Sequence, residues 1–154
     1  MPKAAPAPKP FNCTKYKKLI SRLNKNTSSL AFEKACKPIV LDILENYEKF
    51  KKVEEGPSYR GTPFDFFGFK KRVPYMIEFK GSLNSFRTPS QTQRKRMKEL
   101  QRRIDGVKVA LLQVALKKCQ YRIFYNEDMD ILFRGKKAPI KPIADWIRER
   151  IKTG

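Results

Sequence analysis

Histidine is absent from this chain, and that single absence excludes whole classes of chemistry. Without imidazole there is no His-dependent nucleophile triad, no His-metal nuclease and no His-containing zinc finger. Any hydrolysis must run on carboxylates, lysine and metal. Acids are scarce as well: 15 Asp and Glu stand against 35 Lys and Arg, and none precedes Glu33. The three cysteines, Cys13, Cys36 and Cys119, are odd in number and widely spaced, with no Cys-x-x-Cys pair. They predict neither a disulfide framework nor a zinc site, and they point to a reducing compartment. Long apolar runs are missing too. The best, Val107 to Leu116, is short and broken by Lys108 and Gln113. There is no secretory apolar region, phosphate-binding Gly-rich loop, dinucleotide fingerprint or internal repeat. Membrane and nucleotide-cofactor roles lose support, and the expected location is cytoplasmic, nucleoid-associated if the source is prokaryotic.

What is present is positive charge. The net charge of +20 exceeds what solubility requires and points to a polyanion, with nucleic acid the first candidate. A membrane surface or an RNA-rich assembly would use the same charge. At 154 residues and 40% hydrophobic content, the chain suits one domain with a real core. Residues 1–13, with Pro2, Pro6, Pro8 and Pro10 among Ala and Lys, read as a disordered basic tail ahead of a single domain at 14–154.

The organising stretch is Gly61 to Gly81, which reads as two aromatic-rich strands around a basic turn. With a symmetric turn about Lys71 and Arg72, the numbers of facing residues sum to 143, and Asp65 faces Glu78. Glu78 and Lys80 share a face, while Tyr75, Ile77 and Phe79 point the other way into an apolar layer. Two facing carboxylates repel, so a divalent cation is their natural compensation. The plainer alternative is an exposed hairpin with a surface ion pair.

The flanking elements follow from period and caps. Thr14 opens a short basic helix. Ser28 or Ser29 caps a longer one, Leu30 to about Phe50, which Pro38 should bend or break. Glu33 lies one turn in, at the edge of its buried face, where it either reaches toward a sheet or merely suits the helix dipole. The loop after Lys80 carries Phe86 beside Arg87. A basic helix then runs to about Ile104 with Gln93, Met97, Leu100 and Ile104 along one side, and Arg94, Lys95 and Arg96 on the others. Val107 to Leu116 and Gln120 to Tyr125 read as strands, Asp128 to Phe133 as an added edge strand, and Pro139 to Lys152 as a helix that buries Trp146. The expected fold class is α/β, a central mixed sheet flanked by helices.

Thr62-Pro63-Phe64-Asp65, Ile77-Glu78-Phe79-Lys80 and Ser90-Gln91-Thr92-Gln93 together resemble the PD-(D/E)xK nuclease superfamily. With Tyr59-Arg60-Gly61 and Ser85-Phe86, the run is most similar to Holliday-junction resolvases of the RecU type and their archaeal relatives. Two departures are plain: Phe64 separates Pro63 from Asp65, and no histidine stands beside Gln93.

The resemblance implies a restriction-endonuclease-like core and a Mg²⁺- or Mn²⁺-dependent endodeoxyribonuclease. Asp65, Glu78 and the Phe79 carbonyl would hold the metal, and Lys80 would act on the attacking water. Glu33 would support a second metal or orient water, with Glu45 and Glu48 as alternatives. Gln93, or else Gln91, would position Lys80 or a phosphate. The implied partner is branched or duplex DNA, contacted by Arg60, Lys70, Lys71, Arg72, Phe86, Arg87, Arg94, Lys95 and Arg96. A homodimer is implied because resolvases act on two strands. A phage or restriction-like endonuclease would share the core, and a non-catalytic basic nucleic-acid-binding protein would share the composition.

Overall fold

The two most apolar runs of the chain lie side by side at the centre of the sheet, because strands buried on both faces need apolar residues at every position. They are β4 (Val73–Ser82) and β5 (Lys108–Ala115), which pair in parallel. The computed structural model describes residues 6–57, 64–87, 100–125 and 140–153. Around the central pair lie β1 (Lys9–Pro10), β2 (Lys51–Glu55), β3 (Phe66–Lys70) and β6 (Gln120–Tyr125). The order across the sheet is β1-β6-β5-β4-β3-β2, and every pair except β4–β5 is antiparallel. Helices α1 (Lys17–Ser21), α2 (Ser29–Asp42) and α3 (Ile140–Thr153) flank this mixed sheet. The fold is α/β.

Alternation along the strands sorts side chains between two apolar layers. Phe66, Tyr75, Ile77 and Phe79 pack with Ala110, Leu112 and Val114 beneath Cys36, Ile39 and Val40 of α2. On the opposite face Phe67, Met76 and Val109 meet Phe64, Leu100, Ile104 and the α3 residues Ile143, Ala144 and Ile147. Trp146 sits half-buried at the rim of that layer, edge-on to Phe67 and capped by the Arg150 guanidinium.

The β3–β4 hairpin has the register that the sequence predicts: Phe66 faces Ile77, Phe67 faces Met76, and Lys70 faces Val73. Its two-residue turn places Lys71 and Arg72 at φ 51° and 67°. Such a turn normally takes Asn-Gly, so two bulky cations there carry backbone strain. Ser28 caps α2 by accepting from the Ala31 N–H. Pro38 does not break that helix. It sits inside α2, and the irregularity comes later, in a π-helical turn at Ile43–Tyr47 that leads out through Lys49 at φ 63°.

Two expectations are corrected at the amino-terminal end. Residues 9–13 are not an unstructured tail: β1 pairs with the edge of β6, and Phe11 and Cys13 are buried. Pro10 lacks an N–H to donate and is tolerated because β1 is an edge strand. Cys13 is bonded to Cys119 across 106 residues, their Cα atoms 5.6 Å apart, where no disulfide was expected. The inference of a reducing compartment therefore loses its basis. Cys36 stays free and buried, and burial raises its thiol to about 12.

Candidate metal centre

β4 outruns β3. The ladder between them ends at Phe66–Ile77, so the edge of β4 beyond Ile77 is open on that side among the described residues. Asp65 closes the first step of the gap. Its backbone N–H donates to the Ile77 carbonyl (2.9 Å), and its Oδ2 accepts from the Phe79 N–H (2.9 Å). In a strand the N–H and C=O of one residue share an edge. The Phe79 carbonyl therefore faces the side on which its N–H meets the Asp65 carboxylate.

Two glycines permit this close assembly. A Cβ on Gly81 would meet the Phe79 and Phe32 rings at 2.6 and 2.9 Å, so a side chain there would push α2 away from the end of β4. A Cβ on Gly56 would meet the Phe64 carbonyl at 2.8 Å, where the Gly56 N–H donates to the Asp65 carbonyl.

Glu78 is 1% exposed and hydrogen-bonded to Asp65. Burial, then the Asp65 charge, pushes its carboxyl well above the usual range, while Lys80 works against the shift. Asp65 is raised by burial and lowered by the Phe79 N–H, by Glu78 and by Lys80. The bond between the carboxyls lowers Asp65 and raises Glu78, and it holds one proton between them. Lys80 Nζ lies 3.5 Å from Glu78 Oε1 with its side chain 15% exposed.

Glu33 approaches this centre from α2, close enough for its charge to be felt by Asp65 and Lys80. Loss of water around it, then Asp65, raises its carboxyl, and Lys80 and Arg87 oppose the shift, although its tip is solvent-accessible. A cavity of about 330 Å³ is lined by Lys25, Glu33, Phe79, Lys80, Gly81 and Arg87. Another, of about 660 Å³, lies on the Asp65 side, with Glu33 and Phe79 again in its wall.

Among the described residues no three His, Cys, Asp or Glu side chains gather as a metal cage. Glu33 stands beside the pair, coupled to Asp65 and Lys80. Two carboxylates sharing a proton beside a backbone carbonyl form an oxygen donor set that suits Mg²⁺ or Mn²⁺, which keep water or phosphate oxygens in their other positions.

The remaining site expectations divide. Arg60, Gln91, Gln93, Arg94, Lys95 and Arg96, and the strand expected at 128–133, lie outside the described residues. Lys71 and Arg72 are exposed, but they are roughly 25 Å along β4 from Lys80. Lys70 is corrected: its ammonium is engaged by Glu48 at 3.3 Å and by the Tyr125 hydroxyl, so it is not a free DNA contact. Glu48 is excluded as an alternative to Glu33 because those partners and Tyr121 enclose it on the α2 face. Glu45 is exposed beyond α2. Phe86 is half-buried against Arg122, and Arg87 is exposed.

Sequence reasoning missed Gln113 and Arg122. The register aligns Lys80 with Gln113 and Gln113 with Arg122. Gln113 is fully buried, donating Nε2–H to the Arg87 carbonyl (2.6 Å) and accepting from Arg122 Nε. A polar residue interrupting the most apolar run of the chain was the available signal.

The chain matches no known family model and no curated protein.

Proposed function

We propose that this protein is a metal-dependent endonuclease that hydrolyses DNA phosphodiester bonds on a restriction-endonuclease-like core, with branched DNA as its substrate. The carrying observation is the buried Asp65–Glu78 carboxyl pair at the open end of β4, with Lys80 3.5 Å from Glu78. A mixed sheet with β4 and β5 parallel at its centre supports the core assignment, and the net charge of +20 supports a polyanionic substrate. The preference for branched DNA rests on the sequence resemblance alone.

Asp65, Glu78 and the Phe79 carbonyl would hold Mg²⁺ or Mn²⁺. When bound, the ion supplies a Lewis acid for the phosphate oxygens and a nucleophile at neutral pH. Lys80 holds its ammonium at the same face, where it orients the attacking water and faces charge growing on the phosphate. The Phe79 N–H keeps Asp65 aimed at that face. Glu33, on the accessible side, orients water. Arg87 and Lys25 line the adjoining cavity, where the phosphodiester backbone would lie.

The test is cleavage of labelled duplex, single-stranded, flap and four-way-junction DNA with Mg²⁺, Mn²⁺ or EDTA. The proposal expects metal-dependent, symmetrical nicks at the junction that Asp65→Asn and Lys80→Ala abolish while binding persists. Cutting of the other DNAs keeps the nuclease and changes its substrate. Salt-sensitive binding with no cleavage in either metal would leave only a nucleic-acid-binding protein.

A further inference from the structure

Two arginines of α3 are held by acids. Arg150 bonds Glu54 at 2.9 Å, and Arg148 pairs with Asp145 at 3.4 Å. Arg122 is held differently. Its Nε donates to the neutral Gln113 amide, and its guanidinium stacks 4.6 Å from the Phe86 ring centre and 5.4 Å from that of Phe124. It enters none of the ion pairs among the described residues. A buried amide and two aromatic rings fix the orientation of the group without cancelling its charge.

The orientation is determined on both sides. Arginine only donates, so Gln113 must turn its oxygen to Arg122, which leaves its NH₂ for the Arg87 carbonyl. One side chain thus ties β6 to the loop that carries Phe86 and Arg87. Lys80, Gln113 and Arg122 occupy a row across three strands on one face. With neighbouring strands about 4.8 Å apart, the Arg122 backbone lies about 10 Å from that of Lys80. The terminal nitrogens of a half-buried, Nε-anchored guanidinium form a planar fork suited to a phosphate.

We propose that Arg122 is a phosphate-binding residue, with Gln113 as its positioning residue, that seats the nucleic-acid backbone beside Lys80. The inference deepens the nuclease reading and rests on its nucleic-acid substrate. Arg122 holds the strand in register and takes no part in bond cleavage.

Binding of fluorescent duplex and four-way-junction DNA, measured in EDTA across a salt series, tests it. Arg122→Gln is expected to weaken binding about five- to tenfold at low salt and to reduce the log–log salt slope by about one. Arg122→Lys restores the slope without the full affinity, because an ammonium keeps the charge and lacks the fork. Gln113→Leu lowers affinity and leaves the slope, since Arg122 stays charged. Arg122→Met, which keeps the apolar stem between the two rings, replaces Arg122→Gln if melting curves show the latter unfolded. Wild-type affinity and slope in Arg122→Gln, or in Arg122→Met where that stands in, overturn the proposal. A wild type that binds DNA yet leaves it uncut in Mg²⁺ defeats the nuclease reading and leaves the Arg122 result standing. A wild type that does not bind DNA defeats both.

Discussion

Glu48 and Glu78 are both buried carboxylates, 4% and 1% exposed, on opposite faces of the same sheet, and they have opposite fates. Glu48 accepts from the Tyr121 and Tyr125 hydroxyls and from Lys9, with Lys70 at 3.3 Å. Burial raises its pKa, but Tyr121, Tyr125, Lys9 and Lys70 outweigh that and hold it at about 2. Glu78 instead faces a second carboxylate, with one ammonium at 3.5 Å, and is pushed upward. Burial alone therefore does not separate the two acids; the partners do. A carboxylate enclosed by donors is a structural tie, and one held against another carboxylate is poised for a cation.

Neutralising each acid in turn separates their two roles. Glu78→Gln should lower metal-dependent cleavage by three orders of magnitude or more, about 4 kcal/mol in barrier, while the melting temperature stays equal or rises. Parallel cleavage and melting assays would check both halves. A variant that cuts normally, or that unfolds, would make Glu78 a structural acid like Glu48. Glu48→Gln should do the reverse, costing about 3 kcal/mol of stability in denaturant melts because it strands Lys9 and Lys70 beside an amide, with cleavage per folded molecule preserved.

The pH dependence sharpens the same contrast. Glu48 is depressed in the folded state, so its contribution of about 3 kcal/mol is present above about pH 4.5 and lost as the pH falls through about 2. Acid melts of the wild type should show that loss, and Glu48→Gln should flatten it. An unchanged acid limb would mean that Glu48 does not tie the turn after α2 to β6 through its ionised carboxylate. Asp65 and Glu78, being raised, contribute with the opposite sign, losing stability as the pH rises past the ordinary carboxylate range.

Much of the Glu78 side was legible in the sequence, and little of the Glu48 side was. Local periodicity fixes the hairpin register and puts Asp65, Glu78 and Lys80 together, because strand parity and a two-residue turn are short-range properties. Glu48 finds Tyr121 and Tyr125 across 73 and 77 residues, and Cys13 finds Cys119 across 106. No local pattern encodes such meetings. Lys70 shows the consequence: beside Lys71 and Arg72 it reads as part of a basic turn, yet parity turns it inward to Glu48. Gln113 hid in the same way, as a blemish in an apolar strand whose partners lie on a distant loop and the next strand.

The smallest expected effect falls on neither acid. Replacing Lys71-Arg72 by Asn-Gly should relieve two positive-φ strains and stabilise the fold by about 1 kcal/mol, with both carboxylates unaffected. A melting shift without a change in cleavage rate per enzyme would confirm that the turn stands apart from both centres. A loss of DNA affinity in the same variant would add the turn to the binding surface.

If partners, and not burial, fit Asp65 and Glu78 to hold a cation, calorimetric titration of Mn²⁺ into three proteins will show it. The metal-site proposal expects binding by the wild type and by Glu48→Gln, and its loss in Glu78→Gln. Binding that survives in Glu78→Gln, or that disappears in folded Glu48→Gln, would contradict it.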